Sequence, residues 1–128
     1  VAAPKGSAGA IYGQGIGTEA DNKVSHDWLV RAAERGNARA LANLGGMYFT
    51  GNVVERDVTK GISYYQRAAE AGHGRAAAVL GVVFARGDEV STDEDKARSF
   101  FSLAEELGFD WETLAEAQGL EPARYVTN

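Results

Sequence analysis

An all-α solenoid of three stacked helix pairs, closed by a C-terminal capping helix, is the fold this sequence predicts. Three observations carry the prediction. The first is a strict 36-residue period. Gly9, Gly45 and Gly81 share it, as do Tyr12, Tyr48 and Phe84, then Gly15, Gly51 and Gly87, then Asp21, Asp57 and Asp93. Trp28, Tyr64 and Phe100 continue the register, with Ala32, Ala68 and Ala104, then Glu34, Glu70 and Glu106, and finally Gly36, Gly72 and Gly108. A period of this length without insertions means stacked copies of one supersecondary unit. The second observation is helical spacing of apolar residues inside each period. The third is punctuation: an aspartate where a helix starts and a glycine where one stops.

The units fall at 1–36, 37–72 and 73–108, with 109–128 as cap and tail of a single domain spanning 1–128. In the first unit Pro4, Gly6 and Gly9 weaken helix A, which is expected to be short, near Ser7–Gly13. Its helix B is expected at Asn22–Arg35, with Trp28, Leu29, Ala32 and Ala33 on one face. The second unit predicts helix A at Ala38–Thr50, buried along Leu41, Leu44, Gly45 and Tyr48. Gly51 ends it, and Asp57 caps a helix B at Val58–Ala71, where a short acceptor satisfies free N–H groups. The core face of that helix is Gly61, Tyr64, Tyr65, Ala68 and Ala69, and Gly72 stops it. The third unit repeats the plan. Helix A is Arg75–Arg86 with Ala77, Leu80, Gly81 and Phe84 inside; Asp93 caps a helix B whose core face is Ala97, Phe100, Phe101 and Ala104. In the tail, Asp110 caps a helix at 110–118 whose Trp111, Leu114 and Ala115 cover the exposed apolar end, and Gly119 and Pro122 close it.

A glycine inside a helix costs about 1 kcal/mol against alanine. Gly45 and Gly81 recover that cost if a ring packs flat on the bare backbone, and Tyr64 and Phe100 are the rings expected there. Alanines at 32, 68 and 104 let helix B approach helix A closely. Tyr12 and Tyr48 are expected to fill the gap between units, their hydroxyls reaching water or a carbonyl.

Composition narrows the function classes. The chain has 128 residues and a net charge of −5, which opposes nonspecific binding to nucleic acid or anionic lipid. No apolar run approaches the length of a membrane span. Cysteine is absent, which removes disulfides and zinc–thiolate sites but does not choose between cytoplasm and periplasm. The start at Val1, without a methionine or signal segment, leads to the expectation of a mature form or an excised segment.

The string LANLGGMYFTGNVVERDVTKGISYYQRAAEAGHGRA resembles the Sel1-like repeat, a branch of the tetratricopeptide-like solenoids. Leu44, Gly45, Tyr48, Gly51, Val54, Asp57, Lys60, Tyr64, Tyr65, Ala68, Ala69, Glu70 and Gly72 fit its pattern. Leu80, Gly81, Phe84, Gly87, Val90, Asp93, Lys96, Ala97, Phe100, Phe101, Ala104, Glu106 and Gly108 fit it again. Gly61 in place of alanine and Glu105 in place of the second alanine are departures. The resemblance implies a right-handed superhelix that binds other proteins or acts as a scaffold. It implies no catalytic residues, and it tilts the expected location toward the bacterial periplasm or envelope.

Other candidate sites have structural explanations. Gly13-Gln14-Gly15-Ile16-Gly17 lacks the strand and the glycine spacing of a phosphate loop, and Gly15 is in phase with the loop glycines. Asp88, Glu89, Asp93, Glu94 and Asp95 lack the ligand order of a calcium loop, and the last three suit a helix start. His73 reads as a turn residue and His26 as an outer-face residue. No nucleophile or metal motif occurs, so no cofactor, metal or catalytic residue is assigned.

In tetratricopeptide-like folds helix A lines the concave side. The resemblance therefore places Arg39, Ala42, Gly46, Phe49 and Thr50, with Arg75, Ala78, Val82, Ala85 and Arg86, in a groove. The partner-binding residues expected from this are Arg39, Ala42, Phe49, Arg75, Val82 and Arg86. The competing reading is that Phe49 and Val82 pack against the next repeat. The expected function is a noncatalytic adaptor or regulator that binds a partner protein, with an immunity protein covering a bacterial toxin as a sharper form. The alternatives are a cell-wall or β-lactam hydrolase, by family analogy, and the repeat segment of a larger signalling protein.

Overall fold

The computed structural model describes residues 19–126. The short helix expected at Ser7–Gly13 and the Gly13–Gly17 loop lie outside them. Within them the order is α1 (Glu19–Glu34), α2 (Ala38–Thr50), α3 (Val58–Glu70), α4 (Gly74–Arg86), α5 (Glu94–Glu106), α6 (Trp111–Ala117) and a short 3-10 turn (Pro122–Tyr125). No strand occurs among the described residues. Each helix packs on the next, and the contacts within the pairs α2–α3 and α4–α5 are the most extensive.

The helix ends follow local chemistry. Asp57 accepts a hydrogen bond from the Lys60 amide at 3.0 Å, and Asp93 accepts one from the Lys96 amide at 3.1 Å. These bonds satisfy amides that lack an intrahelical carbonyl. The loops close in the same way in both units. The Asp57 amide donates to the Tyr48 carbonyl at 2.8 Å, and the Asp93 amide to the Phe84 carbonyl at 3.0 Å. Gly51 and Gly87 end α2 and α4 in the left-handed region, at φ +81° and +71°, which costs a glycine nothing. Helix α1 begins three residues before the expected Asn22, and α4 begins at Gly74 because His73 takes the cap position.

The core is centred on Leu44, Leu80 and Phe101, all fully enclosed, with Ala68, Ala77, Ala78, Ala97 and Ala104 around them. The expected glycine–ring contacts exist, but the rings are displaced by one residue. Gly45 faces Tyr65, whose Cγ would lie 3.0 Å from an added Cβ, and Gly81 faces Phe101 more closely still. Tyr64 and Phe100 instead stack on Tyr48 and Phe84, with ring centroids 5.7 and 5.9 Å apart. Successive side chains on a helix diverge by about 100°, so two adjacent rings cannot share one target. One reaches down to the glycine and the other turns to the aromatic a helical turn away. The amines of Lys60 and Lys96 lie over the Tyr48 and Phe84 rings at 4.8 and 5.0 Å, completing each stack.

Two expectations for α1 need correction. His26 is not on the outer face: its ring meets Tyr48 edge-on, and its Nε2 lies 3.3 Å from the Tyr48 hydroxyl. The Tyr48 hydroxyl therefore finds an imidazole rather than a carbonyl. Trp28, expected on the core face, is 65% exposed. The residue equivalent by the repeat to the ring that Tyr64 stacks on, Tyr12, lies outside the described residues.

At the other end Trp111 is buried and stacks on Phe101 with centroids 4.5 Å apart. Its indole N–H donates to Glu105 at 3.1 Å. The 3-10 turn adds Tyr125, buried and edge-on to the same ring, a contribution absent from the sequence reading.

Phe101 is thus held by Trp111 and Tyr125 as well as by α4, and has little room to retreat. Gly81→Ala should therefore destabilise the chain by about 1–3 kcal/mol through overpacking. Urea unfolding checks this, and an unchanged midpoint would show that the helices separate freely at this point. Truncation after Gly108 should expose the face that Trp111 and Tyr125 cover and produce self-association. Sedimentation at rising concentration checks that, and a monomeric, equally stable truncated chain would mean α6 is no cap.

Candidate functional site

Two adjoining cavities lie along one face of α2 and α4. The larger, of about 400 Å³, is lined by Phe49, Arg75, Val79, Val82, Val83, Arg86, Asp88, Glu89, Leu114 and Gln118. The second, of about 300 Å³, is lined by Arg39, Ala42, Asn43, Tyr65, His73, Arg75, Ala76 and Val79. Arg75 and Val79 belong to both and join them.

The six residues expected at a binding face are divided between these cavities. Phe49, Val82 and Arg86 stand in the larger, Arg39 and Ala42 in the second, and Arg75 in both. Ala78 is fully buried and belongs to the core instead. The exposed stripe on α4 runs 75, 79, 82, 86, so the small side chain of Ala78 turns inward and Val79 takes the groove position. Phe49 meets Tyr65 edge-on with centroids 6.2 Å apart, so its ring is braced from one side and open on the other.

The second cavity is built by loop and helix geometry together. Asn37 caps α2 through Oδ1, accepting from the Ala40 amide at 2.9 Å. One repeat later, His73 takes the same position and its Nδ1 accepts from the Ala76 amide at 3.1 Å. The Tyr65 hydroxyl lies over Gly46, where an added Cβ would stand 3.3 Å from it. Burial pushes the Tyr65 phenol up and the Arg75 guanidinium partly offsets this, so the ring stays neutral with a proton to donate. Burial also holds the His73 imidazole below its ordinary range, reinforced by Arg75 and Arg39.

The arginines differ in ways that sequence does not display. Arg86 is latched: its Nε lies 2.8 Å from Asp88, and its Nη1 donates to Gln118 at 3.0 Å. Arg56, from the α2–α3 loop, donates to the Phe49 carbonyl at 2.9 Å and pairs with Glu89. Arg39 and Arg75 have no ion-pair partner among the described residues. Asp88 and Glu89, the two members of the acidic cluster outside the α5 start, thus neutralise the C-terminal end of the groove. Leu114 and Gln118 were missed as groove residues; their four-residue spacing, which places Leu114 on α6 and Gln118 at its C-terminal cap on the same side, was the available signal. Among the described residues no group of three histidines or carboxylates is placed to hold a metal, and no helix is long and apolar enough to cross a membrane.

Comparison with known proteins follows the same division of the chain. The Sel1 repeat signature matches residues 7–37, 38–73 and 74–109. Comparison with curated sequences gave no significant match. Among solved structures, a Sel1 repeat protein from Oxalobacter formigenes is 34% identical, with a TM-score of 0.64 over 80% of this chain. A protective antigen of uropathogenic Escherichia coli strains, displaying an SLR fold, is 33% identical, with a TM-score of 0.61 over 74%. The chain spans 42% of the first protein and 22% of the second.

His73 supplies a pH prediction. Its folded-state pKa lies below the ordinary 6.5, so the unfolded chain binds the proton more readily. The stability of the cap is complete above that ordinary value and is lost as pH falls through the folded pKa. His73→Asn, which reproduces the Asn37 cap, should leave stability near neutrality unchanged and flatten the decline between about pH 7 and 5. Chemical denaturation at several pH values checks this, and parallel pH profiles for the two proteins would contradict it.

Proposed function

Since the chain belongs to the Sel1 repeat family, whose fold is commonly a protein-interaction module, we propose that it is a noncatalytic adaptor or regulator, formed as one repeat domain. It takes a segment of a partner protein along the α2–α4 face. One observation carries the reading: two joined cavities run along this face, and the larger has an apolar floor of Phe49, Val79, Val82 and Leu114. A floor of this kind, with charged groups at its edges, suits an extended peptide or an amphipathic helix. Arginine and aromatic side chains are frequent anchors of such contacts. Phe49, braced by Tyr65 and open on its other side, has the setting of an anchor.

A photo-crosslinking residue placed at Val79 should capture the partner in cells, whereas one at Ser63, exposed on α3, should not. With that partner purified, Phe49→Ala should weaken binding by about 1–3 kcal/mol while the variant remains folded. Capture from Ser63 alone, or full-strength binding by a folded Phe49→Ala protein, would place the interface elsewhere.

A further inference from the structure

The second cavity is rich in donors and poor in acceptors. Arg39 and Arg75 bring guanidinium groups with no carboxylate partner among the described residues. The Tyr65 hydroxyl also makes no hydrogen bond among them. The acids that line the joined cavities are occupied, Asp88 by Arg86 and Glu89 by Arg56. Both arginines line this one cavity together with His73, on whose imidazole both act electrostatically. Two like charges facing a shared cavity repel, and an anion between them relieves that repulsion. In a chain of net charge −5 this local excess of positive charge stands out.

We propose that Arg39, Arg75 and the Tyr65 hydroxyl form a carboxylate-binding subsite. It takes an acidic side chain of the partner segment, while Phe49, Val79 and Val82 take a large apolar side chain from the same segment. The proposal rests on the groove reading above and names the chemistry of its occupant. A guanidinium matches a carboxylate with two parallel hydrogen bonds, and a phenol supplies a third donor. The shared lining by Arg75 and Val79 joins the charged and apolar parts, so the recognised element is an acidic residue close in sequence to a large apolar one. Two cations beside an apolar floor do not form the extended basic track that a nucleic acid backbone requires. Arg86 is excluded from the subsite because Asp88 and Gln118 already hold it.

The test selects displayed random linear peptides on the full chain. Enriched sequences should carry Asp or Glu beside Leu, Ile, Phe or Met. The strongest is then synthesised with both ends blocked and titrated calorimetrically. An Arg39→Gln, Arg75→Gln double variant should weaken it about tenfold or more, as should Gln in place of the peptide's acid, and the two losses should not add, because they break one interaction. Tyr65→Phe, which keeps the ring on Gly45, should cost less but in the same direction. Thermal melts establish that the exposed arginine changes leave folding intact. Peptides without an acid, or full-strength binding to the double variant, would overturn the subsite. Binding that requires a free C-terminal carboxylate would overturn the assignment to an acidic side chain. If Phe49→Ala weakens these peptides while the arginine variant does not, the groove stands and only the carboxylate subsite fails. Indifference to both, or no enrichment above an unrelated helical protein, would count against groove and subsite together.

Discussion

The contact between a bare glycine backbone on one helix and an aromatic ring on its partner sets the geometry of everything else here. At Gly81 an added Cβ would overlap the Phe101 ring, and at Gly45 it would crowd Tyr65 and the Gly61 carbonyl. Gly61 answers from the other side, where its own Cβ would lie 3.0 Å from the Gly45 carbonyl. No other residue leaves room for the helices to approach this far. Close approach buries the alanines between the pairs and leaves little space for larger side chains. It also explains why an alanine-rich core suffices: dispersion between closely spaced backbones and rings replaces the bulk of leucines.

The same approach produces the binding face. Once α3 and α5 occupy one side of α2 and α4, and neighbouring helices flank them, the remaining side has no layer to cover it. Arg75, Val79, Val82 and Arg86 project there because they are spaced 4, 3 and 4 residues apart along α4. The capping helix then serves two purposes. Trp111 seals the apolar end on Phe101, and the same helix and its C-cap carry Leu114 and Gln118 into the groove. Arg86, held by Asp88 and Gln118, joins the cap to the last loop. The end of the solenoid and the end of the groove are therefore one structural unit.

Much of this was legible in the sequence because the period repeats the physical constraints along with the residues. Asp57 and Asp93 announce helix starts by chemistry that needs no tertiary context, and Gly51, Gly72, Gly87 and Gly108 announce stops in the same way. What sequence left open were choices between neighbours. Tyr64 and Tyr65 are both large and aromatic, and only the helix crossing decides which meets the glycine. Ala78 and Val79 differ by one step of rotation, and the burial of α4 on several sides decides which faces out. His26 looked solvated because its partner, Tyr48, lies 22 residues away. Tyr125 follows Gly119 and Pro122, signals that correctly end a helix but say nothing of the chain folding back onto Phe101. As groove residues, Phe49, Val82 and the arginines came from a resemblance and a phase; the structure adds which cavity each lines.

Charge pairing is where sequence says least, and it is what distinguishes the two ends of the face. Four arginines lie on or beside the groove, identical in the sequence and alike in their permanent charge. Two are consumed by the loops: Arg56 ties the Phe49 carbonyl to Glu89, and Arg86 ties Asp88 to α6. Exposed pairs of this kind contribute little stability individually, in the range of about 0–1 kcal/mol. Their effect here is on the balance of charge, since each pairing removes one cation and one anion from the field a partner would meet. The C-terminal end becomes nearly neutral and apolar, and the positive potential is confined to Arg39 and Arg75. A surface on an acidic chain thus acquires a direction, positive at the α2 end and apolar toward α6, from the placement of two acidic residues in one loop.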